Sequence, residues 1–136
     1  MITLADTGAL VALLDRSDAH HEWAVACLRQ LRPPLLTCDA VLAEAWHLLG
    51  AASPSRATLA AFHADGVLVS RFSFEEHASR VWHLLAKYAD LPMDFADACL
   101  VRMSEIHPQC QVWTTDSDFH VYRRLDRKTI PLLDPP

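Results

Sequence analysis

Ile2-Thr3-Leu4-Ala5-Asp6-Thr7-Gly8-Ala9-Leu10-Val11-Ala12-Leu13-Leu14 opens the chain with four residues suited to a strand, one acid, and an almost unbroken run of small and apolar residues. A strand that gives way to a helix across a carboxylate is the repeating unit of parallel sheets flanked by helices, and it leaves the acid at the carboxyl end of the strand. A first strand over 2–5 and a short helix over 8–14 are therefore expected. The rest of the chain continues the alternation. Apolar positions at Trp23, Val25, Ala26, Leu28 and Leu31 suggest a helix over 18–31, ended by Pro33 and Pro34. Residues 35–38 read as a second strand, followed by a helix over 40–49 with Asp39 as its N-cap and Gly50 as its stop. A helix over 54–63 leads to a third strand over 67–69. The capping box Ser73-Phe74-Glu75-Glu76 starts a helix that reaches about residue 88. A helix from 93 to about 106 precedes a fourth strand over 112–114, a turn at Asp116-Ser117-Asp118 and a short helix to about 124. A last strand over 130–133 belongs at the sheet edge, because Pro131 lacks a ladder donor.

The sum is an α/β chain with a central parallel sheet of four to five strands, expected as a single domain over 1–136 with no repeat and no linker. With 51% hydrophobic and 21% charged residues, disorder is excluded, and only 3 Gly argue against an all-β chain of tight hairpins. The longest stretch free of Asp, Glu, Lys and Arg is 45–55, well short of the ~18 apolar residues of a membrane span. The N-terminus lacks a basic segment before its first acid, so export is not expected. Cys27, Cys38, Cys99 and Cys110 form no C-x-x-C pair and read as reduced thiols of a cytoplasmic protein. The net charge of −5 disfavours long-range attraction to nucleic acid. Against that, ten of the twelve cations are Arg, and Arg123, Arg124, Arg127 and Lys128 cluster near the C-terminus. Acids gathered around a bound cation would also reverse the local sign.

The carboxylates carry the functional reading. Asp6 ends the first strand and Asp116 follows the fourth, where ligands of open parallel sheets bind, although each also fits a helix cap. Glu44 is the only acid in the apolar helix 40–49, and Asp97 stands in the similar surroundings of Phe95-Ala96-Asp97-Ala98-Cys99. An ionised carboxylate buried there costs several kcal/mol unless a cation or donors compensate it, so each either faces water, pairs with an Arg, or serves a site. Asp94 lies one turn before Asp97 on the same face, and Asp118 lies deeper in the turn after Asp116. Acids from four separate segments suggest one oxygen-lined pocket suited to Mg²⁺ or Mn²⁺.

Asp6-Thr7-Gly8 after an apolar strand, Glu44 in a mid-chain apolar helix, Pro92-Met93-Asp94-Phe95-Ala96-Asp97-Ala98 and Thr114-Thr115-Asp116-Ser117-Asp118-Phe119 together resemble, in order and spacing, the PIN-domain ribonucleases. Within that family the sequence looks most like the VapC-type toxins of toxin–antitoxin pairs. The resemblance implies an α/β/α sandwich, an Mg²⁺- or Mn²⁺-dependent endoribonuclease that leaves 5′-phosphate and 3′-hydroxyl ends, a homodimer, and inhibition by a small antitoxin. It implies Asp6, Glu44, Asp97 and Asp116 as catalytic and metal-holding acids, with Asp94 and Asp118 as auxiliary or second-metal ligands. Thr7 is the small hydroxyl residue after the first acid, and Arg123, Arg124 and Lys128 are the candidates for holding the RNA backbone.

Other readings fit less well. Asp6-Thr7-Gly8 also looks like the active-site triplet of retroviral-type aspartic proteases, but here it leads into a helix and Gly is scarce. A phosphotransfer domain would want a lysine near the strand ends, and Lys87 and Lys128 are the only two. A PIN-like scaffold that binds RNA or protein without cutting remains the alternative function. His20 and His21 are adjacent and His77 and His83 six apart, neither being the spacing of a zinc site. Trp23, Trp46, Trp82 and Trp113 are expected mostly in the core.

Overall fold

The computed structural model describes residues 1–136 and has five parallel strands at its centre. In chain order the elements are β1 (Ile2–Ala5), α1 (Thr7–Leu14), α2 (His21–Gln30), β2 (Leu35–Thr37), α3 (Asp39–Leu49), α4 (Ser55–Ala64), β3 (Leu68–Ser70), α5 (Phe74–Lys87), α6 (Phe95–Ile106), β4 (Cys110–Trp113), a 3₁₀ turn (Ser117–His120), β5 (Arg123–Arg124), β6 (Lys128–Thr129) and β7 (Leu132–Leu133). The sheet runs β3-β2-β1-β4-β7, and β5 and β6 form a separate two-stranded ladder. Register is parallel throughout the large sheet, with Leu4 opposite Leu36 on one side and Val112 on the other. From β1 the chain builds outward to β2 and β3, then returns to lay β4 on the other side of β1. The crossovers therefore diverge between β1 and β4, opening a crevice beyond their carboxyl ends. Strand residues Leu4, Ala5, Leu35, Leu68, Val112 and Trp113 are buried, as a sheet covered by helices requires. Helices α1, α3, α5 and α6 supply Leu10, Leu13, Val41, Ala45, Val81, Leu84, Leu100 and Val101 to the same core, and α2 and α4 add Ala24 and Leu59.

The local differences from expectation have physical causes. α2 starts at His21 rather than 18, because Asp18 turns back to accept the N–H of His20. Cys38, not Asp39, holds the cap position of α3, and the Asp39 carboxylate accepts the Ser70 hydroxyl at 2.6 Å, tying α3 to β3. α6 begins at Phe95 because Asp94 is its N-cap. Beyond the 3₁₀ turn the chain forms a hairpin, not a helix to 124, with Leu125 and Asp126 in left-handed conformation at its tip. α3 is not buried all round: it buries Val41, Ala45 and Leu49 and shows Trp46 and Leu48 to solvent. Trp82 is likewise 57% exposed, so two of the four tryptophans lie at the surface rather than in the core.

Candidate active site

Asp6 stands where β1 becomes α1, and its two roles coincide. Its N–H continues the sheet by donating to the Trp113 carbonyl, while its carboxylate caps α1 by accepting the N–H of Thr7 at 2.8 Å. The second oxygen, Oδ2, accepts the Thr114 hydroxyl at 2.6 Å, and that hydroxyl in turn accepts the N–H of Asp116 at 2.9 Å. Thr114 is fully buried and bridges the ends of β1 and β4, a role the sequence signalled only by its place two residues before Asp116. Asp116 caps the 3₁₀ turn through the N–H of Asp118, and Asp94 caps α6 through the N–H of Asp97. Capping thus fixes the acids in place without removing them from the crevice.

Asp97, one turn into α6, is 5% exposed, and its Oδ2 accepts the hydroxyl of Tyr122 at 2.8 Å. Nothing in the sequence marked Tyr122, which lies 25 residues away in a stretch read as helix. Glu44 is half-buried on α3.

The charges that weigh on Asp6, Glu44 and Asp97 all come from other carboxylates, and none of the salt bridges includes these three residues. Burial pushes Asp6 up to about 6, with Asp116 and Asp94 adding to the rise and the Thr114 and Thr7 hydrogen bonds opposing it. Burial and the charges of Asp6 and Asp94 raise Asp97 further, despite the Tyr122 hydroxyl. Glu44 is raised by burial and by Asp94 and Asp116. Glu105 shows what this fold does with a structural acid. Its side chain is fully buried, and burial alone would raise it, but a two-pronged bond from Arg80 and the N–H of Leu125 hold it below its ordinary range.

Asp6, Glu44, Asp94, Asp97 and Asp116 therefore form one electrostatic group gathered from β1, α3, the α6 terminus and the end of β4. Asp118 is not among the charges acting on Asp6, Glu44 or Asp97; its charge bears on Tyr122. No three His, Cys, Asp or Glu side chains stand at direct ligand spacing around one point, so the acids are neighbours rather than a closed cage. Such a donor set fits a hard cation that takes one or two carboxylates and keeps several waters, as Mg²⁺ does. The buried Thr7 hydroxyl beside Asp6 has no hydrogen-bond partner, a further oxygen in this polar neighbourhood.

The C-terminal cations are placed differently from the acids. The Arg123 guanidinium donates to the carbonyls of His120, Val121 and Tyr122. Arg124 donates to the carbonyls of Ser104 and Pro108, at the end of α6 opposite Asp94 and Asp97, and Lys128 pairs with Arg124 across the hairpin. Arg124 and Lys128 are thus two helical turns or more from the carboxylates, and the two arginines are occupied in pinning the chain.

Residues 3–125 match the family model described as PIN domain. The structure is similar to that of VapC20 of Mycobacterium tuberculosis, a toxin described as cleaving the sarcin-ricin loop. The TM-score is 0.77 at 22% identity, over 88% of this chain and 93% of the other. No curated protein sequence matches the chain at a significant level.

Proposed function

The chain belongs to the PIN-domain family, and on that premise we propose that it is an Mg²⁺- or Mn²⁺-dependent endoribonuclease and the toxin of a toxin–antitoxin pair. One observation carries the reading: at the divergence point between β1 and β4, Asp6, Asp97 and Glu44 lie against further carboxylates with no cation of the protein to balance them. A fold that pairs Glu105 with Arg80 yet leaves these acids unpaired keeps them for a charge from outside. The structural likeness to a toxin that cuts ribosomal RNA supports RNA as the substrate.

Asp6, Asp97 and Asp116 would hold the ion, with Asp94 as an auxiliary acid and Glu44 as ligand or positioning group. When bound, such an ion would supply charge stabilisation at the scissile phosphate and a more acidic attacking water. The side chains do the remaining work. Thr114 keeps Asp6 and the Asp116 backbone in fixed relation, so the ends of β1 and β4 move as one unit. The same acids repel a bare phosphodiester, so RNA binding would be conditional on the cation, whose charge would offset the chain's net −5 only at the site. Partners consistent with this reading are an RNA strand, a small antitoxin and a second copy of the chain, in the cytoplasm.

The test is incubation of the purified protein with a mixed RNA pool in Mn²⁺ or in chelator, beside Asp6→Asn and Asp97→Asn. Cleavage that requires the ion and disappears in both variants is expected. An RNA pool left intact by the wild type in Mn²⁺ would instead make the chain a non-cutting scaffold.

A further inference from the structure

We infer that Tyr122 is a positioning residue of this site, fixing through its hydroxyl which oxygen of Asp97 is offered to a divalent cation; the inference rests on the metal-site reading above. An aspartate carboxylate turns readily about its last torsion, and its two oxygens are chemically equivalent until a neighbour distinguishes them. Here the neighbour is rigid. Tyr122 is fully buried, and its ring is held edge-on by Phe119 at 5.1 Å and by Tyr88 at 5.2 Å. Tyr88 contributes its ring alone, since its hydroxyl points elsewhere and accepts the N–H of Arg123 at 2.9 Å. The Tyr122 hydroxyl takes Asp97 Oδ2 at 2.8 Å. Oδ1 has no hydrogen-bond partner in the protein and is not sealed from solvent, so it is the free oxygen.

The placement of Tyr122 adds a second link. Its own N–H, and that of Val121, donate to the Asp118 carbonyl in the turn that Asp116 caps. One short segment, 116–122, therefore carries an acid of the site at its start and the donor to another acid at its end. Any displacement of the Asp116 turn is transmitted to Asp97 on α6.

Second-layer partners of this kind typically change metal affinity or activity ~10–100-fold when removed. Tyr122→Phe deletes the hydroxyl and keeps the ring, and Tyr88→Phe deletes a neighbouring hydroxyl that touches no acid. Mn²⁺ binding is measured by calorimetry without RNA, and cleavage is followed across a Mn²⁺ series. Tyr122→Phe is expected to weaken Mn²⁺ binding ~10–100-fold and to lower kcat while KM for RNA at saturating Mn²⁺ stays within about twofold, with cooperative unfolding retained. Tyr88→Phe is expected to bind Mn²⁺ as the wild type does. Equal Mn²⁺ binding by wild type and Tyr122→Phe, or an equal loss in Tyr88→Phe, overturns the inference.

The chain has only two tyrosines, so fluorotyrosine incorporated in the Tyr88→Phe background reports Tyr122 alone while keeping its hydroxyl. Its ¹⁹F resonance is expected to shift on Mg²⁺ addition and to lose that shift with Asp97→Asn; no shift with Mg²⁺ counts against the inference. Calorimetry and resonance need no substrate. A wild type that binds Mn²⁺ but cuts no RNA therefore defeats the nuclease reading alone, whereas one that binds no Mn²⁺ defeats both.

Discussion

Asp97 is an acid placed at a cost to the fold, and that cost is measurable. Its folded-state pKa, like that of Asp6, lies above the ordinary value of 3.8, so the unfolded chain ionises first as pH rises. Below about pH 4 both states hold their protons and nothing is lost. Above it the folded chain is penalised progressively, as Asp6 ionises near pH 6 and Asp97 as pH passes through about 8. In chelator, therefore, the unfolding midpoint should fall between pH 4 and pH 8. Mn²⁺ should raise it more at the upper end of that range than at the lower. Asp97→Asn removes the repulsion while leaving an oxygen for Tyr122, so in chelator its Tm should exceed the wild type's by on the order of 5 °C, a stability gain of about 1–2 kcal/mol. The same variant should lose cleavage in Mn²⁺ by about 100-fold or more, which separates a functional acid from a structural one. Thermal melts in chelator and a cleavage assay check the pair of effects.

Among the elements, the junction of β1 with α1 and the clasp on the β5–β6 hairpin make separate predictions. A Cβ on Gly8 would collide with the Thr115 hydroxyl, in the segment that leads from β4 to Asp116. Gly8→Ala should cost about 1–3 kcal/mol and weaken cleavage by displacing that segment, and most of both effects should vanish in a Thr115→Ala background. Chemical denaturation of the four proteins of this cycle gives the coupling. Glu105 receives Arg80, Arg102 and the N–H of Leu125, joining α5, α6 and the hairpin. Glu105→Ala should cost about 2–3 kcal/mol, less than a sealed ion pair would, because Arg80 still reaches Asp126. Asp126→Ala, at a half-exposed site, should leave the denaturation midpoint nearly unchanged.

At the scale of the molecule, the legible features were those encoded within a few consecutive residues. A strand, an acid and a helix in immediate succession placed Asp6, and an acid inside an apolar helix flagged Asp97. The parallel sheet followed from alternation of such units, and the edge position of β7 from Pro131. What escaped depended on partners brought together only by folding. Tyr122 meets Asp97, and Arg124 meets Ser104 and Pro108, across distances no local pattern records. In the basic cluster 123–128, likewise, Arg123 and Arg124 donate to backbone carbonyls, contacts that no local pattern records. α3 read as buried because its composition is apolar, while the molecule leaves Trp46 and Leu48 on its outer side. Anomalous diffraction from a Mn²⁺-soaked crystal decides whether the acids at the β1–β4 crevice share a divalent ion. A peak is expected between Asp6, Asp97 and Asp116, contacting at least two of them directly or through one water. A well-ordered crystal with no peak there, or with Mn²⁺ bound only elsewhere, would contradict it.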